Sequence, residues 1–467
     1  MKFSEEVKAT LWELIDAMGA NVSDYTVNPE KDFSRKKKWD FATLVKFIIS
    51  MEGQSLKNEL HKYFGYTTDC PSNASFNQRR AQVSSNAFEY LFNTFTEHYQ
   101  NVSDKRFKGY KLIACDGSDI NIAHNPADTE TYFKCGNSKG FNQLHLNAMY
   151  DLLNRTYSDI VIQPSRSENE HAAFCDMVDR YNGDLKSIFI TDRGYESYNN
   201  IAHVIEKGTY FLFRCKDICS NSIIAGSKDR LPKTDIFDCH LSLILTRKWT
   251  NEILNNRDIY KHFRNSHSFD FLDLDKHIFY NMNLRVVRFP ITDNDYECIL
   301  TNLPDDEFST EEIKELYALR WGIETSFREL KYAVGLTSFH SKKREYIIQE
   351  IWARLFLYNF CEIIITHITI EKCTKKYTYQ VNYTYAIHIC RYFISKMAEK
   401  SPPDVEALIS KEILPVRPGR HDPRKVTPQE SSKFSLQSSL TPNIIILLFL
   451  TDENICLFVF VQKFKIQ

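Results

Sequence analysis

Four side chains able to do chemistry recur at helical spacing late in the chain: Tyr317, Arg320, Glu324 and Lys331. Their offsets of 0, 3, 7 and 14 fall, at about 100° per residue, within roughly 60° of arc. A phenol, a guanidinium, a carboxylate and an ammonium therefore share one helix face. Taken alone that face reads as solvated, with Arg320 and Glu324 as an i,i+4 pair worth about 0.3–0.5 kcal/mol. Two further acids change the reading. Asp116 ends the short apolar run 110–115, and Asp192 ends the run 187–191. Phosphoryl transfer with two metal ions needs carboxylates from separate segments, holding the ions about 3.5–4 Å apart. Acids at strand ends plus one on a packed helix meet that need. Oxygen ligands, with no Cys/His cluster of zinc spacing, favour Mg²⁺ or Mn²⁺ over Zn²⁺. Arg320 and Lys331 would flank the ions as phosphate ligands.

The elements that must position these residues follow from periodicity. Residues 1–108 read as helical. Leu44, Phe47, Ile48 and Met51 form one apolar face, and Phe88, Leu91, Phe92 and Phe95 another. Between them lies Ser72-Asn73-Ala74-Ser75-Phe76-Asn77-Gln78-Arg79-Arg80, a polar segment able to present a helix to a DNA groove or to lie on the surface. From 109 to 208 the pattern is strand, hairpin, helix, strand, helix, with Asp116-Gly117-Ser118-Asp119 as a turn after the first strand. Residues 209–305 read as a β-rich insertion. Ser309 with Glu312 makes a capping box, and one helix then runs over 310–333 until Gly335 can end it. A very apolar helix at 345–366 completes a segment 306–370. A helical and basic region covers 371–436, and an apolar, β-prone tail covers 437–467.

Here the sequence resembles a known family. Tyr317, Arg320, Glu324 and Lys331 match the Y-x2-R-x3-E-x6-K signature of the DDE transposases of insertion sequence family four. Cys115-Asp116-Gly117-Ser118 is similar to the family's first acidic motif and Thr191-Asp192-Arg193-Gly194-Tyr195 to its second. The resemblance spans roughly 30–430 and includes the order of motifs and the basic stretch Arg417-Pro418-Gly419-Arg420 to Lys425. It implies an α/β fold: an RNase H-like catalytic core interrupted by the β-rich insertion, with a helical N-terminal DNA-binding region and a helical C-terminal region. It implies that Asp116, Asp192 and Glu324 are catalytic and hold two Mg²⁺ (or Mn²⁺) ions, and that Tyr317, Arg320 and Lys331 bind DNA. The implied partner is double-stranded DNA, both the terminal inverted repeats of the element and the target, engaged by a homodimer. The implied reaction is cutting at those repeats and joining the ends to target DNA. A catalytically inactive or repurposed DNA-binding relative is the alternative, and a nuclease without strand transfer is a second one.

The whole composition is compatible with this and excludes other classes. The 467 residues carry 59 Lys+Arg against 60 Asp+Glu, which excludes a polybasic binder but not local basic surfaces. Hydrophobic residues at 43% and charged residues at 25% exclude global disorder. A charged start, Lys2 to Glu6, lacks a signal peptide's apolar region. The 12 cysteines are dispersed and read as reduced thiols. With no run of 18 apolar residues, the expectation is a cytoplasmic protein without membrane partners, and the resemblance implies a bacterial, DNA-associated one. The tail reads as an appended segment with the pattern of an aggregation hazard. Asp119 reads as a turn residue and His171 as a surface or capped histidine. Trp249 reads first as core and second as a stack for an unpaired base. Lys342-Lys343-Arg344 reads as a phosphate-binding cluster or a solvated turn, and 417–425 as a DNA-backbone contact.

Overall fold

The computed structural model describes residues 2–415, apart from 36–37, 101, 103–104, 135, 137–138, 219–221, 265–266, 274, 292–294, 369–378 and 396–401. It also describes the backbone of 445–451 and 454–460. Five helices come first: α1 (Phe3–Ala20), α2 (Phe41–Ser50), α3 (Leu56–Tyr63), α4 (Asn73–Arg80) and α5 (Asn86–Tyr99). Asp40, Ser55 and Ser72 cap α2, α3 and α4 by accepting a backbone N–H. The two apolar faces read from the sequence are buried. The polar segment forms α4, but its two arginines are turned inward. Arg80 is 1% exposed and donates to Gln349 Oε1, Glu350 Oε1 and the Tyr346 carbonyl. Arg79 is also buried, on Gln82 and the Arg35 carbonyl.

Next come β1 (Lys111–Ile122), β2 (Tyr132–Phe133), β3 (Phe141–Asp151), β4 (Thr156–Pro164), α6 (Glu170–Arg180), β5 (Ser187–Thr191), α7 (Tyr198–Glu206) and β6 (Tyr210–Cys215). The chain continues through β7 (Phe237–Thr246), α8 (Asn251–Asn255), β8 (Tyr260–His262), β9 (Phe279–Pro290) and β10 (Tyr296–Thr301). These ten strands form one sheet, ordered β2-β3-β1-β5-β6-β10-β9-β7-β8, with β4 also pairing β3. β1, β3 and β4 are an antiparallel meander, while β1, β5 and β6 run parallel. The strands of 209–305 thus do not build a sheet of their own. β6 pairs β5, and β10, β9 and β7 extend the same sheet antiparallel from it.

Helices α9 (Thr310–Leu319), α10 (Trp321–Tyr332) and α11 (Arg344–His367) follow. Last are β11 (Tyr379–Val381), α12 (Tyr383–Ile394), α13 (Val405–Lys411), β12 (Ile413–Pro415) and the strands β13 (Ile445–Thr451) and β14 (Asn454–Phe460). β13 and β14 pair as a two-stranded sheet separate from the main one. The capping box is formed: Ser309 Oγ accepts from the Glu312 N–H, and the Glu312 carboxylate accepts from the Ser309 N–H. The single helix expected over 310–333 is instead two, joined at Arg320. The strand expected to stop at Asp116 runs on to Ile122, because β3 stays paired with it as far as Ile122↔Asn142. Asp119 is therefore a strand residue, not a turn residue.

The sheet is covered on both faces. Ala114, Ile120, Leu144 and Ala148 pack with residues of α5, α10 and α11, while Ile113, Cys115 and Met149 pack with α6 and α7. A third cluster joins Leu112, Ile190 and Ile299 to Ile313 and Leu316 of α9. α11 is buried on nearly every side. No helix among the described residues is long and apolar enough to cross a membrane. The stretch 417–425 lies outside the described residues.

Candidate active site

Strand pairing brings the first two acids together. The parallel β1–β5 register ends at Cys115↔Thr191, so Asp116 and Asp192 are the next residues on adjacent strands. Asp116 Oδ1 accepts the Gly117 N–H at 2.8 Å. Asp192 caps a short 3₁₀ turn, Arg193–Tyr195, accepting the Gly194 N–H at 2.8 Å. Both carboxylates are thereby oriented by local backbone.

α10 supplies the third acid. It lies on β1 with Ile323, Phe327 and Leu330 buried, which leaves Glu324 in its first turn beside the strand residues. Gly322 packs against Leu152, whose Cδ2 would stand 2.8 Å from a Cβ placed there. The helix is fastened from behind by polar contacts: Tyr157 Oη to Ser326 Oγ at 2.8 Å, Arg155 Nη2 to Glu329 Oε2 at 2.9 Å and Tyr358 Oη to Glu329 Oε2 at 3.0 Å. Such buried networks fix one position of an element when all members are satisfied.

Arg320, at the α9–α10 junction, joins the acids. It donates from Nη2 to Glu324 Oε1 at 2.9 Å, and its Nη1 lies 3.8 Å from Asp116 Oδ2. Burial pushes the Asp116 carboxyl up to about 7; Asp192 and Glu324 add to the rise, while the Gly117 N–H and Arg320 oppose it. Tyr317 is 4% exposed, and burial raises its phenol. Lys331 is half-buried further along α10. Burial lowers its ammonium, and Asp119 is the charge that counters this. The fold thus gathers Asp116, Asp192, Glu324, Arg320 and Tyr317, with Lys331 further along the same helix.

Among the described residues, four buried polar atoms around these motifs have no hydrogen-bond partner: Thr191 Oγ1, Tyr195 Oη, Tyr317 Oη and Arg320 Nε. Buried donors are rarely left bare.

Other expectations sort out differently. Trp249 is not core: it is 64% exposed, edge-on to His262 at 4.5 Å between centroids, and it lines a groove with Arg257, Tyr260, Lys261 and Arg264. His171 is exposed and contacts Asn200 Nδ2 through Nδ1 at 2.9 Å. Arg344 is committed to Asp128 and Glu130. A group that sequence reasoning missed surrounds His145, which faces Asp119, Glu168 and Glu170. The available signal was a histidine opposite an acid in a hairpin.

The family described as the transposase DDE domain matches residues 107–360, more than half of the chain. The putative transposase InsL of insertion element IS186A from Escherichia coli K12 is 40% identical over 57 residues, 12% of this chain and 15% of that protein. The transposase of insertion element IS421 from Escherichia coli shows the same identity and coverage. The match thus spans under a sixth of these relatives' length. A cryo-EM structure of a piggyBac transposase synaptic complex with hairpin DNA aligns with TM-score 0.42 and 10% identity, covering 89% of this chain and 87% of that one.

Proposed function

Since this chain belongs to the transposase DDE domain family, we propose that it is an insertion-sequence transposase of family four that cuts at the terminal inverted repeats of its element and joins the ends to target DNA. The observation that carries this reading is the convergence of Asp116, Asp192 and Glu324, bridged by a buried arginine. The meander β1, β3, β4 followed by parallel β5 and β6 supports an RNase H-like core, to which the segment 209–305 contributes β6 as well as the extending strands β10, β9, β7 and β8.

The donor set suits hard divalent cations. Three carboxylates crowd together with Arg320 as the close counter-charge, and Asp116 is raised because its charge is buried and repelled. Asp116, Asp192 and Glu324 would hold two Mg²⁺ or Mn²⁺ ions. When bound, such ions activate water or a 3′-hydroxyl for in-line attack on phosphorus and stabilise the leaving oxygen. The remaining work falls to the protein's own groups. Arg320 keeps Glu324 aimed at Asp116 and offers Nε to a phosphate oxygen. Tyr317 offers an otherwise unused hydroxyl. Lys331 adds positive charge further along the DNA, where partial burial strengthens its field. Two ends must be cut and joined together, which favours a homodimer on DNA.

Strand cleavage of a duplex carrying the element's end, with and without Mg²⁺, tests the reading. Metal-dependent cutting by the wild type and its loss in Glu324→Gln are expected. Binding without cutting in both proteins would instead favour a catalytically inactive, DNA-binding relative. Cutting that survives Glu324→Gln would remove Glu324 from the triad.

A further inference from the structure

A histidine and three carboxylates meet on the face of the sheet opposite Glu324. Side chains alternate along a strand. Asp116 therefore shares a side with Ala114, which packs toward α10, whereas Asp119 shares one with Cys115, which packs toward α6. Asp119 and His145 face each other across the β1–β3 ladder, with Oδ1 2.8 Å from Nδ1. Glu168, in the loop before α6, brings Oε2 to 3.4 Å from the same nitrogen. Glu170, the first residue of α6, places Oε1 3.0 Å from Nε2.

Clustered acids alone would be a solvated edge. Three facts separate this cluster from that. His145 is 6% exposed, and its Nε2 makes no hydrogen bond, because the Glu170 oxygen stands at ion-pair distance without hydrogen-bond geometry. The space is opened by a missing side chain: a Cβ on Gly117 would lie 2.3 Å from Glu170 Oε1 and 2.5 Å from His145 Nε2. Finally, one ligand atom each from Asp119, His145 and Glu168 lie within 4.8 Å of one another. Two donors bound at right angles to one cation, each about 2.1 Å away, are about 3 Å apart. The separations of 2.8 and 3.4 Å bracket that value.

We propose that Asp119, His145 and Glu168 form a second cation site, for a divalent transition-metal ion such as Mn²⁺, Fe²⁺ or Zn²⁺, with Glu170 facing the other nitrogen of the imidazole. One imidazole with two carboxylates suits these ions better than Mg²⁺, which takes oxygen donors. A carboxylate behind the ligating histidine fixes its tautomer and raises its basicity. In the metal-free protein burial pulls the His145 pKa down, but the contacts with Asp119 and Glu170 bring it up to about 9. Binding therefore displaces the Nδ1 proton to solvent. The ion would clamp the loop before α6 to the back of the strand that carries Asp116. None of this depends on the phosphoryl-transfer reading.

Co²⁺ is the probe, added to the full chain carrying Asp116→Asn and Glu324→Gln so that the other acidic centre is disabled. The expected result is one tightly bound equivalent with the visible d–d bands of a nitrogen- and oxygen-ligated ion. Adding His145→Gln or Glu168→Gln should abolish that equivalent, and Glu170→Gln should weaken it 10- to 100-fold. If His145→Gln does not fold, Glu168→Gln decides, since its side chain is substantially exposed. Absence of the bands in the parent protein, or their persistence in Glu168→Gln, overturns the site and leaves His145 as a protonated partner of the carboxylates. A wild type that cuts no DNA would leave the cobalt result untouched.

Discussion

Asp116 and Asp192 stand side by side where the parallel ladder of β1 and β5 ends, one residue beyond its last pair, Cys115 and Thr191. Asp116 lies within reach of the charges of both Asp192 and Glu324 of α10, each of which adds to the rise of its carboxyl. If the three act as one metal-binding unit, losing either aspartate should cost nearly the whole effect. Asp116→Asn and Asp192→Asn should each slow Mg²⁺-dependent cleavage on the order of 10³-fold, equivalent to about 4 kcal/mol. The double variant should be no slower than the worse single one, because groups that act together are non-additive. Single-turnover cleavage of an end duplex measures this, and multiplicative losses would show that the two acids work separately.

A buried ionic cluster joins the N-terminal helices to α11 and has a defined pH window. Glu350 pairs with Arg80 at 2.7 Å and with His340 at 3.1 Å. Burial works against its charge, but Arg80 and His340 hold the carboxyl down to about 2. Its contribution is therefore present above the ordinary carboxylate value, about 4.3, and is lost as pH falls toward 2. His340 is shifted the other way: burial lowers it, but Glu350 and Glu59 raise it overall, so its share is full below about 6.5 and fades as pH rises through its higher folded value. Glu350→Gln should cost about 3–5 kcal/mol near pH 6, since Arg80 is left buried and unpaired. Urea denaturation at pH 6 and pH 3 should show that difference shrinking with acid; a difference constant with pH would assign it to packing instead.

What the sequence made legible was local. Runs ending in Asp116 and Asp192, the Ser309–Glu312 cap and the spacing from Tyr317 to Lys331 all depend on near neighbours in the chain. The surprises came from distant partners. Asp-Gly-Ser-Asp carries turn chemistry, yet pairing with β3 keeps it extended through Asp119. Arg79 and Arg80 look like a DNA-facing pair until Glu350, 270 residues away, takes Arg80 into the core. The break at Arg320 was hidden because the helical pattern runs on uninterrupted across it, and Arg320 itself keeps helical backbone angles. The His145 cluster combines β1, β3 and the start of α6, which no single period reveals.

Trp249 tests whether the sheet's outer strands face DNA. With its ring exposed beside Tyr260, Lys261 and Arg264, Trp249→Ala should alter folding stability by no more than about 0.5 kcal/mol. If it stacks on an unpaired base, binding to an end duplex opened at the cut should weaken by about 1–3 kcal/mol per base lost. Fluorescence anisotropy on opened and fully paired duplexes separates the two effects. Equal weakening on both would indicate a backbone contact in place of stacking.

Tyr317 offers a test in which stability and activity move in opposite directions. Its hydroxyl is buried and unpartnered among the described contacts, while its ring packs with Leu316, Ile313 and Phe289. Tyr317→Phe keeps that ring and removes the bare donor, which relieves a penalty of about 1–3 kcal/mol for an unsatisfied buried group. The thermal midpoint of the DNA-free protein should therefore rise or stay level. If the hydroxyl is reserved for a phosphate oxygen at the element's end, that same change should lower end binding by about 0.5–1.5 kcal/mol, or up to about tenfold. Differential scanning calorimetry and a binding titration on one protein sample measure both. A fall in the midpoint with unchanged DNA binding would make Tyr317 an ordinary member of the core, and would leave Arg320 and Lys331 as the phosphate ligands of this helix pair.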